Sequence, residues 1–246
     1  MAESADLRGR LLVLGIDTCG PMGSVALCEV SQGELRILSE KELAGRSYSA
    51  TLVASVGELL AQAGIELRLL DAIVVVNGPG SFTGVRVGVS AAKGLAEGRT
   101  DDRTAGGGIA VLAVSRLEVL AAKAGVDSAA LDAHRGEVFL RVGAGDGRGS
   151  ELLAGAEELA AVEPAPNRIA ICDESAAELV EAAWPAVELV RLDAPTAADA
   201  LKLCLPRVVA GECADISILD GHYLRRSDAE IFGEKASQTT SETRQA

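Results

Sequence analysis

The sequence predicts an α/β protein built from two similar halves, and three observations lead to this prediction. Apolar residues make up 48% of the 246-residue chain and are mostly alanine, valine and leucine, with only 2% aromatic residues. This composition suits helices packed closely on buried parallel strands. Strands and helices are predicted in the same order in both halves. Each half also opens on an Asp-turn-Gly-strand hairpin, at residues 15–27 and 130–140, which indicates an internal repeat.

In the first half, apolar periodicity and turn residues predict the order β-β-β-α-β-α-β-α. Residues 49–64 carry apolar side chains at helical spacing and end on a glycine. A second helix is predicted over residues 84–97. A third helix begins at the Ser115-x-x-Glu118 capping box and ends at Gly125. The predicted strands are residues 11–17, 24–30, 34–39, 72–76 and 109–114.

The second half repeats this order. Its predicted strands are residues 129–132, 137–142, a segment near Glu151, 168–173 and 187–192, with a short helix over 157–161. Ser175-x-x-Glu178 and Thr196-x-x-Asp199 are capping boxes that predict two further helices. Pro206 is expected to kink or break the second of these helices, because proline removes a backbone hydrogen bond.

The pattern predicts an N-terminal subdomain over residues 1–108 and a C-terminal subdomain over residues 109–235. Whether the helix after Ser115 packs with the first subdomain is left open. The polar, glycine-rich residues 99–108 are expected to form a loop. The polar residues 236–246 are expected to form a disordered tail.

Charge and composition exclude several classes of function. The net charge is −13, so the surface repels phosphate backbones, and we expect another subunit to hold any nucleic acid. The five cysteines and two histidines form no zinc-binding pattern. No apolar run is long enough to span a membrane, and the N-terminal residues do not form a signal peptide. We therefore expect a cytoplasmic protein.

A glycine-rich turn links a predicted strand to a predicted helix at residues 77–84, N-G-P-G-S-F-T-G. Gly78, Pro79, Gly80 and Gly84 predict a tight structural turn in which two backbones pack closely. An anion bound at the helix N-terminus is the alternative. The segment is not a phosphate-binding fingerprint, because it contains neither G-x-G-x-x-G nor G-K-[ST].

Two predicted helices, at residues 49–63 and 84–97, carry more apolar surface than one sheet face requires. On each helix the polar residues form a single narrow stripe. Burial within the domain explains this surplus, and a subunit interface explains it equally well. The predicted interface residues are Leu52, Val53, Val56, Leu60, Val85, Val89, Ala92, Leu95 and Ala96.

Asp17 and Asp132 end corresponding strands, where a duplicated nucleotide-binding fold would place carboxylates near a metal ion and phosphates. The second hairpin, however, carries the bulky pair at 134–135, and no glycine pair follows residues 169–172 to receive a nucleoside. No nucleophile-base motif is present. We therefore expect no catalytic, cofactor-binding or metal-binding residues. The alternative is a kinase or ATPase that uses Asp17 and Asp132; a peptidase has no motif to support it.

Several motifs occur in a fixed order along the chain: G-I-D-T at 15–18, G-P-G-S-F-T-G-V-R-V-G at 78–88, A-K-G-L at 92–95, V-S-x-L-E at 114–118, D-A-x-R-G-E-V at 132–138 and Y-L-R-R at 223–226. With these motifs the sequence resembles the bacterial TsaB (YeaZ) family from about residue 11 to about residue 232. The resemblance implies the ASKHA (actin/Hsp70-like) fold, with two duplicated ribonuclease-H-like subdomains.

The same resemblance implies a function. Members serve as the non-catalytic subunit for threonylcarbamoyl transfer to the adenosine next to the anticodon, in tRNAs that read codons beginning with A. The implied partners are a TsaD-like catalytic paralogue and a TsaE-like ATPase, with a homodimer when the chain is alone. The implied contact with tRNA is made only through the complex, and pairing uses the two helices described above.

The sequence departs from the family pattern at three places. Tyr48-Ser49-Ala50 replaces the usual His-Ser-Glu at the start of the first helix. Cys19 stands where a serine is common, and the loop at residues 99–108 is longer than usual.

Overall fold

The computed structural model describes residues 9–45, 47–98, 109–145 and 148–225. Within these residues, two five-stranded mixed sheets with their helices form two lobes. The predicted loop at 99–108 and the predicted tail at 236–246 lie outside the described residues. No helix of the described part is long and apolar enough to cross a membrane.

The N-terminal lobe is a mixed sheet in the strand order β3-β2-β1-β4-β5. The central strand β1 pairs antiparallel with β2 and parallel with β4. The helices α1 and α2 connect β3 to β4 and β4 to β5, as the repeating pattern predicts. The elements are β1 (Arg10–Asp17), β2 (Met22–Ser31), β3 (Glu34–Ala44), α1 (Tyr48–Gln62), a 3₁₀ turn (Leu67–Leu69), β4 (Ala72–Val76), α2 (Phe82–Glu97) and β5 (Ala110–Val114).

The C-terminal lobe repeats this arrangement in the order β8-β7-β6-β9-β10, so that each strand has a counterpart in the first sheet. The predicted duplication is therefore confirmed by the strand order. The elements are α3 (Arg116–Ala124), β6 (Ala129–Asp132), β7 (Val138–Gly143), β8 (Gly149–Ala154), α4 (Ala156–Ala160), β9 (Arg168–Ile171), α5 (Glu174–Ala183), β10 (Glu188–Arg191) and α6 (Ala197–Val209).

The two lobes exchange their last helices. Helix α3 follows the first sheet in the chain but packs on β6, β7 and β9, where Leu117 and Leu120 join the core of the second lobe. Helix α6 returns to pack on β1, β2 and β4 of the first sheet. The predicted boundary between residues 108 and 109 falls before β5, which pairs with β4 in the first sheet. The boundary was inferred from chain order, whereas hydrogen bonding and apolar burial assign the elements.

Helix α6 and helix α2 cover opposite faces of the first sheet. A Cβ on Gly15 would lie 2.9 Å from the Leu201 side chain of α6, whereas the Ile16 side chain lies 3.8 Å from the Cβ position of Gly88 in α2. Successive residues of a strand point to opposite faces. Glycine at position 15 is therefore required by the close approach of α6.

The helix ends agree with the sequence predictions only in part. Thr196 and Asp199 form the predicted reciprocal capping box of α6. Helix α5 is capped by Asp173 rather than by Ser175, and α6 continues through Pro206 to Val209, so the predicted break is wrong. Ser115 caps α3 by accepting from the backbone N–H of Leu117.

Candidate functional site

The carboxylate of Asp17, at the end of β1, is enclosed by the first lobe. Its Oδ1 accepts a hydrogen bond from the backbone N–H of Cys19 at 2.8 Å. The guanidinium Nε of Arg116 lies 3.5 Å from its Oδ2, and the two side chains are only 1% and 6% exposed. Burial lowers the pKa of Arg116, but the charge of Asp17, together with smaller contributions from Cys19, Cys172 and the direct contact with Asp17, outweighs burial, so the pKa is raised. The two groups therefore form a buried, charged pair.

The loop between β1 and β2 is closed around this pair. A Cβ on Gly20 would lie only 2.8 Å from the Cζ of Arg116, so the loop and the guanidinium are in direct contact. On the other side the hydroxyl of Tyr48 donates to the carbonyl oxygen of Gly20 at 2.8 Å. Burial, helped by the nearby charge of Asp17, raises the pKa of Tyr48 to about 12, which keeps this hydroxyl a donor. Tyr48, the departure from the family pattern, thus supports the loop.

Four cysteine thiols have pKa values that burial raises. The Sγ of Cys19 donates to the carbonyl oxygen of Val76 at 3.2 Å, and burial raises its pKa well above the usual value. Burial likewise raises the pKa of Cys28 to about 12 and those of Cys172 and Cys204 to about 11. A thiol of this kind is a poor nucleophile, because the thiolate is the reactive form.

The glycine-rich turn that begins α2 packs against the same loop. The hydroxyl of Thr18 donates to the carbonyl oxygen of Gly84 at 2.7 Å, and the N–H of Ser81 donates to that of Cys19 at 2.8 Å. A Cβ on Gly80 or on Gly84 would overlap the carbonyl oxygen of Cys19 or of Thr18, respectively. These two glycines therefore allow two backbones to meet. Gly78 has φ of 115°, a conformation that favours glycine and that begins the turn before Pro79.

The second carboxylate, Asp132, is held by its own hairpin. The backbone N–H of His134 donates to Oδ1 at 2.7 Å, and Nδ1 of the same residue lies 2.7 Å from Oδ2. His134, Arg135 and Gly136 all have positive φ, at 61°, 61° and 76°. Both oxygens of Asp132 are thus directed into a tight local loop.

A magnesium nucleotide, which the duplicated fold implies, does not fit these residues. At Asp17 the position facing the carboxylate is taken by the guanidinium of Arg116. At Asp132 the contacts of both oxygens with the exposed His134 compete with a metal ion. Over the described ranges, no group of three or more histidine, cysteine, aspartate or glutamate side chains is arranged to hold a metal ion.

The structure places most of the predicted interface residues inside the first lobe. Seven of the nine are buried in its core. They are Leu52, Val56, Leu60, Val85, Val89, Ala92 and Ala96. The side of each helix that carries these seven residues covers the first sheet. Val53 is 62% exposed, and Leu95 is half-buried.

The apolar surface of α1 and α2 that remains exposed to solvent is formed mostly by alanine and glycine. We call it the helix face. It consists of Ala50, Val53, Ala54, Gly57 and Ala61 of α1, which are exposed, with Val87, Ala91 and Gly94 of α2, which are exposed or half-buried. A Cβ on Gly57 or on Gly94 would meet no atom within 4 Å. The packing of this chain therefore does not explain glycine at either position.

A buried carboxylate that the sequence did not single out joins the two lobes. Glu151 of β8 is 8% exposed and its Oε2 accepts from the hydroxyl of Ser115 at 2.7 Å. His222 Nε2 lies 2.9 Å from the same oxygen, and Arg141 lies 3.2 Å from Oε1. Burial raises the pKa of Glu151, but the contacts with His222 and Ser115 outweigh it, so the pKa is lowered. Only tertiary contacts reveal this cluster, because its members are spread over 107 positions of the chain (222 − 115).

Arg225, one of the local basic residues near the C-terminus, is paired with Glu137 and also contacts the backbone of His134. Its neighbour Arg226 and the acids at 228 and 230 lie outside the described residues.

Two duplicated lobes, each closed by the last helix of the other half and each with an aspartate at the end of its first strand, define an ASKHA protein of the actin/Hsp70-like class. Comparison with known proteins narrows this class. The family model "TsaD: tRNA N6-adenosine threonylcarbamoyltransferase" matches residues 36–161.

Three relatives illustrate the similarity. The tRNA threonylcarbamoyladenosine biosynthesis protein TsaB of Haemophilus influenzae is 36% identical over 129 residues, which cover 52% of each chain. A tRNA N6-adenosine threonylcarbamoyltransferase of Jannaschia sp. is 53% identical over 57 residues, or 23% of this chain and 16% of that one. The structure of YeaZ from Pseudomonas aeruginosa has a TM-score of 0.66 and 28% identity, covering 87% of this chain and 100% of that one.

The chain belongs to the TsaB/YeaZ family, as its motifs predict. It spans about half the length of the curated TsaB proteins of Haemophilus influenzae and Escherichia coli.

Proposed function

We propose that this protein takes part in the synthesis of threonylcarbamoyladenosine in tRNA, as a non-catalytic subunit that dimerises with a TsaD-like catalytic paralogue. In this role it enables threonylcarbamoyl transfer to the adenosine next to the anticodon of tRNAs reading codons that begin with A. Membership of the TsaB/YeaZ family and the names of its relatives support the process.

The contacts of Asp17 and Asp132 support the non-catalytic role. A kinase or ATPase of this class would need Asp17 and Asp132 free to face a metal ion and phosphates. Asp17 is instead neutralised by the buried guanidinium of Arg116, and Asp132 is bonded to His134. A buried ion pair is costly to open, because each charge would lose its partner in a place that water does not reach.

The glycines of the helix face are the observation that carries the proposed dimer. Glycine inside a helix costs about 0.5–1 kcal/mol relative to alanine. Gly57 and Gly94 bear this cost although neither is crowded within the chain. Close approach of a second chain explains both positions, since small residues let helix backbones pack tightly. A paralogue of the same fold presents equivalent helices, so the pair would be related by approximate twofold symmetry.

The other proposed partners are argued from the net charge of the chain and from its family membership. With a net charge of −13, the chain is a poor ligand for tRNA, so the paralogue is proposed to hold the tRNA. In isolation the helix face is proposed to pair with a second copy. A TsaE-like ATPase is the proposed third component of the complex.

A matched pair of substitutions tests the proposal. Val53 on the helix face is 62% exposed, and Val209 at the end of α6, on the opposite face of the first sheet, is 55% exposed. We expect Val53→Glu to weaken co-purification with the TsaD-like protein by at least about tenfold, because a charge is buried in the contact. Val209→Glu should leave it unchanged. Equal binding by the two variants would refute the dimer, and tight stoichiometric binding of ATP with magnesium by the isolated chain would favour the enzyme.

Gly57 offers a second test that separates stability from pairing. We expect Gly57→Leu to stabilise the isolated chain slightly, because it removes a helix glycine and enters open space. The same substitution should weaken binding to the paralogue, because the side chain fills the space that a partner helix needs. A variant that is more stable and binds as well as the wild type would contradict the proposed role of this glycine.

A further inference from the structure

We propose that the guanidinium of Arg116 occupies the position beside Asp17 where the duplicated fold would hold a divalent metal ion. This one side chain then prevents a metal ion and a nucleotide from binding in the first lobe. The inference deepens the proposed non-catalytic role and rests on it. It assigns the loss of metal binding to Arg116 alone, and it predicts that Asp17 binds a metal ion when the Arg116 side chain is removed.

The position of Arg116 in the fold is the first argument. The parallel strands β1, β4 and β5 end at one edge of the first sheet, the edge at which open α/β sheets bind their ligands. Asp17 ends β1, and Arg116 begins α3 two residues after β5 ends. Its backbone N–H donates to the carbonyl oxygen of Gly78 at 2.6 Å. The side chain is thereby aimed along this edge toward the carboxylate.

The guanidinium of Arg116 is buried beside a carboxylate but is not matched to it by hydrogen bonds. Its Nε lies 3.5 Å from Asp17 Oδ2 and has no hydrogen-bond acceptor among the described residues. A bidentate arginine–carboxylate pair would place two donors at hydrogen-bond distance. Charge and burial, rather than matched hydrogen bonds, therefore hold Arg116 beside Asp17.

The loop between β1 and β2 packs directly on the guanidinium, so a phosphate at this place would have to displace the Arg116 side chain. The guanidinium is in contact with Gly20, and the hydroxyl of Tyr48 closes the loop from the other side. The backbone N–H of Cys19, which could face an anion, donates to Asp17. A metal ion would meet the positive charge of Arg116 and would find Asp17 already neutralised, so its binding would be opposed by both charge and volume.

Removing the side chain should therefore open a cation site. The experiment measures Mn²⁺ by electron paramagnetic resonance, with the full chain as wild type, as Arg116→Ser, and as the double variant Arg116→Ser/Asp17→Asn. We expect Arg116→Ser to bind Mn²⁺ at least about tenfold more tightly than the wild type, because the charge of the buried Asp17 carboxylate is no longer neutralised by arginine. The double variant should bind no more than the wild type, because it has lost that carboxylate.

Thermal unfolding provides the second measurement. We expect Arg116→Ser to unfold at a lower temperature than the wild type, since it leaves Asp17 buried and unpaired. Added Mn²⁺ should raise its midpoint and leave that of the wild type unchanged. Arg116→Lys, which keeps a cation, should fold and remain insensitive to Mn²⁺.

Three results would overturn the inference. The first is wild-type binding of Mn²⁺ as tight as that of Arg116→Ser. The second is a folded Arg116→Ser that binds no more Mn²⁺ than the double variant. The third is an Arg116→Ser that does not fold and gains no structure from Mn²⁺. Pairing of the wild type with the TsaD-like protein tests the proposed function separately, because it does not require Mn²⁺ binding by this chain.

Discussion

Two valines one helical turn apart on α1 distinguish the core side of the helix from its outer side. Val56 is 2% exposed and packs in the core of the first lobe, whereas Val53 is 62% exposed. Val56→Glu forfeits the burial of a valine side chain, about 1.5–3 kcal/mol. It also places a carboxyl group among apolar neighbours, which costs about 1–3 kcal/mol more if the group stays unpaired. The free energy of unfolding should fall by about 2.5–6 kcal/mol, a large share of the roughly 5–15 kcal/mol of a typical domain.

Urea unfolding followed by far-ultraviolet circular dichroism measures the difference between the two variants. With a slope of about 1–3 kcal/mol per molar urea, Val56→Glu should lower the midpoint by at least about 1 M. Val53→Glu should change stability by no more than about 0.5 kcal/mol, as an exposed substitution does, while it disrupts pairing measured by light scattering. Equal midpoints for the two variants would refute the assignment of Val56 to the core and would restore the interface predicted from the sequence.

Three further predictions concern charged groups. Asp132→Asn should leave tRNA modification in a reconstituted system nearly intact, because this carboxylate is bonded to its own hairpin; a hundredfold fall with an unchanged complex would indicate catalysis. Arg225→Ala should alter neither tRNA binding by the complex nor its salt dependence, since Glu137 already pairs with Arg225; a flatter salt slope would reveal a phosphate contact. The pKa of Glu151 is lowered from 4.5, so its ionised form stabilises the fold above that pH and the contribution is lost as the pH falls through the lowered pKa. Glu151→Gln should therefore reduce stability at neutral pH and weaken its loss in acid, and an unchanged pH profile in thermal unfolding would contradict the role of this cluster.

The sequence by itself determined the order of the elements and the duplication of the fold. Both depend on local patterns, namely apolar periodicity and turn residues, which operate over a few neighbouring positions. The strands Ala72–Val76 and Ala129–Asp132 were predicted with the bounds that the structure gives. The capping box of α6 was also predictable, because Thr196 and Asp199 are three residues apart and satisfy each other's backbone.

The tertiary structure alone decided which surfaces are inside. Helix α1 is apolar on one flank and small on the other, so periodicity could not tell that Val56 faces the sheet and Gly57 faces outward. It likewise could not show that α3 and α6 exchange lobes, because that choice depends on distant apolar partners. Arg116 lies in the S-R-L-E segment that begins α3, where the sequence signals only a helix start. Its place beside Asp17, 99 positions away (116 − 17), follows from the meeting of β1 and β5 at one edge of the sheet. A buried charge acquires its role from the partner that the fold brings to it, and local sequence does not contain that partner.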